Sequence, residues 1–245
     1  MRGMNVWKII CAVLAVSIYS NAHAALALSA TRLILEEKDN QVSVTARNHG
    51  KQPIALQSWL EQGEKKPNEI PLVVTPSLAR LPANQPQVLR LLYRGQGMPS
   101  DKESVLWLNA QEIPQVAKTQ NTLQIAIRQR IKVFYRPKGL PGDANDAPTL
   151  LTWQLGKQGD QSIVTLNNPS AYHVSLLSVD GIKPYKDMAA LMINPGDSTI
   201  IPIESLAEHA EPIVHFKTVN DWGAHIPYDV KLKLNSTRSA SLSAQ

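Results

Sequence analysis

The sequence predicts an all-β protein built from two immunoglobulin-like β-sandwich domains. Three observations carry that expectation. Apolar residues recur at every second position in one segment after another, the spacing of half-buried strands. Turn signals made of Gly, Pro, Asn and Asp separate those segments every ~8–15 residues, as in a sandwich of short strands. The length of 245 residues suits two domains of about 100 residues each.

The N-terminus sets the compartment. Arg2 and Lys8 flank an apolar run at 9–19, about the length of a signal-peptide core and too short to cross a bilayer. Ala22-His23-Ala24 supplies a small-x-small cleavage site. Residues 1–24 are therefore expected to be a signal peptide. Cys11, the only cysteine, leaves with it, so the exported chain has no disulfide and no thiol chemistry. Burial alone must hold the fold. Loss of Arg2 and Lys8 lowers the formal charge from +5 by two, to +3. That excess is too mild to argue for nucleic acid or an anionic membrane.

In the first half, strands are expected at 31–35, 41–48, 53–62, 72–75, 86–93, 102–111 and 121–136. Arg32 is the odd residue in the first, and Trp59 and Trp107 sit in the third and sixth. These form a first domain at 25–140. The segment PKGLPGDANDAP at 137–148 has no apolar period and reads as a hinge. The second domain, 141–238, has strand candidates at 150–155, 162–167, 173–179, 198–203, 213–219 and 229–234. Single helical turns are expected at 187–193 and 204–210. Residues 239–245, rich in Ser and Ala, are expected to be a disordered tail.

The stretch NTLQIAIRQRIKVFYR at 121–136 is unusual. Leu123, Ile125, Ile127, Ile131 and Val133 lie in one row; Arg128, Arg130 and Lys132 lie in the other. Sixteen residues would span about 50 Å, against a usual strand of about 5–6 residues. Periodicity alone leaves open whether the aliphatic row serves the chain's own core or a partner.

Signals for catalysis are missing. The histidines show no metal-ligand spacing, and there is no G-x-S-x-G and no phosphate-binding glycine loop. No cofactor and no small-molecule substrate is expected, and an enzyme reading ranks below a binding reading. Arg32 and Lys132 are different. Long cations are seldom buried without a partner. They are either snorkelling side chains in ordinary pairs, or a pair that awaits an anion from outside.

Several motifs then fall in order. MPSDKESVLWLNAQEIP at 98–114 carries a D-K-E-S core, an aromatic three residues after the Ser, an Asn two further on and a closing E-I-P. NTLQIAIRQRIKVFYRP, TPSLARLP, NNPSAYHVSL and Asn220-Asp221-Trp222-Gly223 accompany it. Over essentially its whole mature length the chain resembles the periplasmic chaperones of the chaperone–usher pilus pathway, and its short 114–120 connection resembles the short-loop subfamily. Ala110 and Gln115 depart from the usual pattern. The resemblance implies a boomerang of two sandwiches that binds, folds and caps pilus subunits by donor-strand complementation. It implies delivery to the outer-membrane usher, a periplasmic location and a self-capping dimer when free. Arg32 and Lys132 fall on the cleft cations that hold a subunit's C-terminal carboxylate. Leu123, Ile125 and Ile127 fall on the donor residues that enter the subunit's groove. Glu103, Arg136 and Asp221 fall on a charged cluster between the domains. The competing readings are a secreted two-domain β-sandwich adhesin or structural pilus component, and a β-sandwich hydrolase using paired carboxylates.

Overall fold

The computed structural model describes residues 26–63, 69–115, 125–184, 191–206, 213–232 and 237–243. The expected signal peptide and Leu123 lie outside those residues. The strands are β1 (Leu26–Leu28), β2 (Arg32–Glu36), β3 (Gln41–Asn48), β4 (Ile54–Glu61), β5 (Leu72–Thr75), β6 (Leu78–Leu81), β7 (Pro86–Tyr93), β8 (Ser104–Ile113) and β9 (Arg128–Arg136). A single helical turn, α1 (Ala147–Leu150), follows. Then come β10 (Thr152–Gln158), β11 (Gln161–Asn167), β12 (Val174–Asp180), β13 (Ile182–Pro184), β14 (Met192–Ile193), β15 (Ser198–Leu206), β16 (Ile213–Val219), β17 (His225–Lys231), β18 (Thr237–Ser239) and β19 (Ser241–Leu242).

Four sheets make two sandwiches. The first packs β1-β3-β7-β5 on β2-β9-β8-β4-β6; the second packs β13-β15-β11-β10-β18 on β14-β12-β16-β17-β19. Each has its own core. Leu35, Val44, Leu56, Leu89, Leu106 and Val133 pack in the first. In the second, the Phe216 ring lies 4.9 Å from Trp153 and 5.3 Å from Tyr228. These inward rows are the period-two apolar positions of the sequence, which is why alternation located the strands.

Both sandwiches tie one corner with a fully buried asparagine. Asn48 Nδ2 donates to the carbonyls of Gln52, Leu81 and Pro82, and its Oδ1 accepts from Gly50 N–H. Asn168 Nδ2 donates to the carbonyls of Tyr172, Ile193 and Asn194, and its Oδ1 accepts from Ser170. In both, one side-chain amide bridges carbonyls of two separate segments at the corner and is itself satisfied while buried.

Four expectations are corrected. Of the strand expected at 121–136, residues 121–124 lie outside the described residues, 125–127 are not strand, and the ladder with β8 begins at Gln111↔Arg128. The helical turn expected at 187–193 is strand at Met192–Ile193, paired with β12. Glu204–Leu206 continues β15, whose far end pairs with β13. The tail is not loose over 237–243. β18 pairs with the edge strand β10 and β19 with the edge strand β17. Ala240 between them is 8 % exposed within the second core. Backbone pairing at two sheet edges outweighs the low apolar content that suggested disorder.

Candidate functional site

Strand β9 organises the site. Its inward row, Ile131, Val133 and Tyr135, is buried in the first core. Its outward row runs Arg128, Arg130, Lys132, Phe134, Arg136. Exposure falls along that row: the arginines at 128 and 130 are exposed, Lys132 is half-buried and Phe134 is buried. The second sandwich causes the gradient, because the Phe134 ring lies 5.6 Å from His173 of that domain.

The parallel pairing of β2 with β9 sets Arg32 directly opposite Lys132. Arg32 Nη1 donates to the Val219 carbonyl at 2.9 Å, while its Nε is buried without a partner. Lys132 Nζ donates to Ser175 Oγ at 3.0 Å. Among the described residues neither cation has a carboxylate within ion-pair distance. Burial lowers the Arg32 pKa, against the pull of Asp221 and Glu103. Burial and the neighbouring Arg32 charge bring the Lys132 ammonium down to about 8. Two like charges, half-desolvated and side by side, form a site short of one anion. A cavity of about 300 Å³ opens beside Arg32, lined in part by Glu103, Arg136, Ser175, Asp221 and Tyr228.

Behind the cations, three of the expected residues meet. Arg136 Nε donates to Glu103 Oε2 at 2.6 Å, and its two terminal nitrogens form a fork on Asp221 at 2.6 and 2.8 Å. Opposite charges at this range hold the Arg136 guanidinium above its ordinary pKa despite burial. Asp221 is presented by a tight turn whose Gly223 has φ +81°. A Cβ there would stand 2.9 Å from Thr31 Oγ1 of the first domain, so a side chain would push the turn off its seat.

Two further residues here, His173 and Ser175, lie in the NNPSAYHVSL motif, but the sequence assigns neither a role. Glu103 Oε1 accepts from His173 N–H at 2.9 Å and lies 2.8 Å from His173 Nδ1. Ser175 holds the Lys132 ammonium. Both sit on the far side of a long sequence separation, and only the folded pairing of domains reveals them.

The donor segment is partly visible. Ile125 is 70 % exposed, and Ile127 is half-buried with its carbonyl accepting from Glu112 N–H. Because β2 starts opposite Lys132, no strand among the described residues covers the other edge of 128–131. Among the described residues the site therefore combines one exposed and one half-buried isoleucine, a strand edge that no strand covers and a cation pair at the end of that edge.

Comparison with known proteins agrees with this architecture. Residues 25–141 match the family model of the pili and flagellar-assembly chaperone, PapD N-terminal domain, and 146–230 match the pili assembly chaperone PapD, C-terminal domain. The probable fimbrial chaperone YadV of Escherichia coli K12 is 33 % identical over 237 residues, covering 91 % of this chain and 96 % of that protein. The chaperone FimB/FhaD of Bordetella pertussis is 32 % identical over 244 residues, covering 94 % and 97 %. The crystal structure of YadV superposes with a TM-score of 0.70 at 31 % identity, covering 85 % of this chain and all of that one. The SafB chaperone of Salmonella enterica, solved in complex with the SafA pilin, shares the fold at 22 % identity, with a TM-score of 0.70 and coverage of 91 % and 99 %. The two family models, matched in order on the two sandwiches, define the class as that of pilus assembly chaperones. This chain belongs to the PapD-like family of fimbrial chaperones.

Proposed function

We propose that this chaperone captures pilus subunits by lending them a strand. The segment containing Leu123, Ile125 and Ile127 fills an open groove in an incomplete subunit sandwich, and the subunit's last strand lies along the free edge of 128–131. Arg32 and Lys132 receive its C-terminal carboxylate. For that carboxylate to meet Lys132, the subunit strand must run parallel to β9, in line with β2. Strand addition satisfies unpaired backbone groups, and the alternating aliphatics set which subunits fit. Their burial contributes about 5–9 kcal/mol gross, before the cost of association. The carboxylate fixes register, because a slip of one residue would turn every aliphatic outward. Glu103, Arg136 and Asp221 hold the two domains, 25–140 and 141–238, at the angle that keeps the cleft open. The protein works in the periplasm after loss of residues 1–24, and passes its subunits to an outer-membrane usher.

The observation that carries this reading is Arg32 beside Lys132 at the end of an uncovered strand edge. The test is purification of the tagged chaperone from periplasm with mass spectrometry of what accompanies it. Wild type should bring a stoichiometric small β-rich subunit. Arg32→Ala and Lys132→Ala should fold, by circular dichroism, and bring none. Folded variants that still carry the subunit at wild-type yield would refute the assignment.

A further inference from the structure

The outward row of β9 begins with two cations that the carboxylate anchor does not use. The Arg130 guanidinium lies 3.8 Å from the centroid of the Trp107 ring, and Arg128 lies 5.0 Å from that of Trp59. Asn109, fully buried, accepts from Arg128 Nε and Nη2 at 2.9 and 2.6 Å. Glu61 pairs with both arginines, at 2.9 and 3.2 Å. The Trp59 indole N–H holds Glu61 in place at 3.0 Å. Two long side chains that would ordinarily sample many rotamers are thus fixed over indole platforms. They remain open to solvent, with side chains 45 % and 43 % exposed.

Arg128, Arg130 and Lys132 recur every second residue on one face, about 6.6 Å apart. Glu61 is the one carboxylate within ion-pair distance of this row among the described residues, so the face keeps an excess of positive charge. Arg128 and Arg130 also flank the edge that β2 leaves uncovered. A strand added there puts alternate side chains on this same face, opposite the cations.

We propose that this row selects subunits whose last strand carries carboxylate side chains at alternate outward positions upstream of its terminal carboxylate. The inference rests on the proposed binding of a subunit's C-terminal strand along 128–131. It adds a second recognition element beside the aliphatic groove: aliphatics on the inward face and acids on the outward face. Like charges placed there would be repelled, so the row also discriminates against basic strands. The indoles and Asn109 hold the arginines in place before the subunit arrives, so little ordering remains to be done on binding.

The test uses three synthetic ten-residue peptides on the full mature chain, with fluorescence anisotropy as the readout. All alternate aliphatic residues with a second type. One has Glu at the second positions and a free carboxylate, one has Lys there and a free carboxylate, and one has Glu and an amidated end. At low salt the free Glu peptide should bind at least about tenfold tighter than the Lys peptide, and the preference should shrink with added salt. Arg128→Gln/Arg130→Gln should remove most of that preference. Should this double variant unfold, Arg130→Gln alone should reduce the preference about threefold. Equal binding of the Glu and Lys peptides to wild type would overturn the inference, as would a preference unchanged in the folded Gln variants. Those results leave the carboxylate anchor standing if the amidated peptide still binds more weakly than the free acid. Amidated and free Glu peptides that bind alike, or a free Glu peptide with no binding at about 1 mM, would overturn the anchor and this inference together.

Discussion

Lys132 is the residue on which the account turns, and its ionisation gives a direct handle. In the free protein, burial and Arg32 bring its ammonium down to about 8. A bound carboxylate restores the charged form, so binding takes up a proton wherever the free lysine has lost one. Affinity should be flat below pH 8 and fall above it, by about tenfold between pH 7 and pH 9 if the bound lysine regains its ordinary pKa. Calorimetric titration in buffers of different ionisation enthalpy checks the proton uptake, and Lys132→Arg should abolish it. The same depressed pKa acts on folding with the opposite sense. Between pH 8 and the ordinary lysine range the unfolded chain binds more protons, so this group's contribution to stability rises with pH. Glu103 supports the site from behind. Its side chain is 1 % exposed against Arg136 at 12 %, and its removal leaves Arg136 Nε and the His173 N–H without their acceptor while the fork on Asp221 remains. Glu103→Ala should cost about 1.5–3 kcal/mol in denaturant unfolding, and Glu103→Gln less. Arg32 stands out in the sequence as a cation among aliphatics, whereas Lys132, in a row of cations, is singled out only by the family resemblance. His173 and Ser175 fall in the NNPSAYHVSL motif, but their contacts were not legible, since neither type is anomalous where it stands and their partners lie in the other domain.

At the scale of elements, β9 shows what periodicity can and cannot read. Alternation gave both faces of the segment, and the structure assigns Ile131, Val133 and Tyr135 to the first core. It could not say where pairing stops, because that depends on where β2 and β8 end. Ile125 is on the unpaired side of that boundary. Ile125→Asp should leave the melting temperature within about 1–2 °C, since an exposed site away from special contacts changes stability little, and should weaken subunit capture by at least about tenfold. A thermal melt and a titration with purified subunit separate the two effects. The tail was misread for a related reason. Its composition is that of a disordered end, but the edges of β10 and β17 accept it, and Ser243 Oγ donates to Asp229 at 2.7 Å. Deleting 237–245 should uncover both edges and increase aggregation on warming, seen by light scattering, while periplasmic subunit capture persists at low temperature.

On the scale of the whole molecule, two sandwiches with separate cores are joined by a largely buried ionic cluster, and the proposed subunit site lies where they meet. The fold class was legible because each sandwich repeats one pattern of alternating strands and turn residues. The register of β2 against β9 was not, although it brings Arg32 to Lys132 and leaves 128–131 without a strand on that side among the described residues. The central claim is that this bare edge and the aliphatics before it become an internal strand when a subunit is bound. Amide hydrogen exchange over 125–131, compared between the free chaperone and its complex with the co-purified subunit, measures it most directly. The account predicts fast exchange at the amides facing the uncovered edge in the free protein and strong protection of those amides in the complex. Exchange there that is already slow when free, or unchanged on binding, would contradict it.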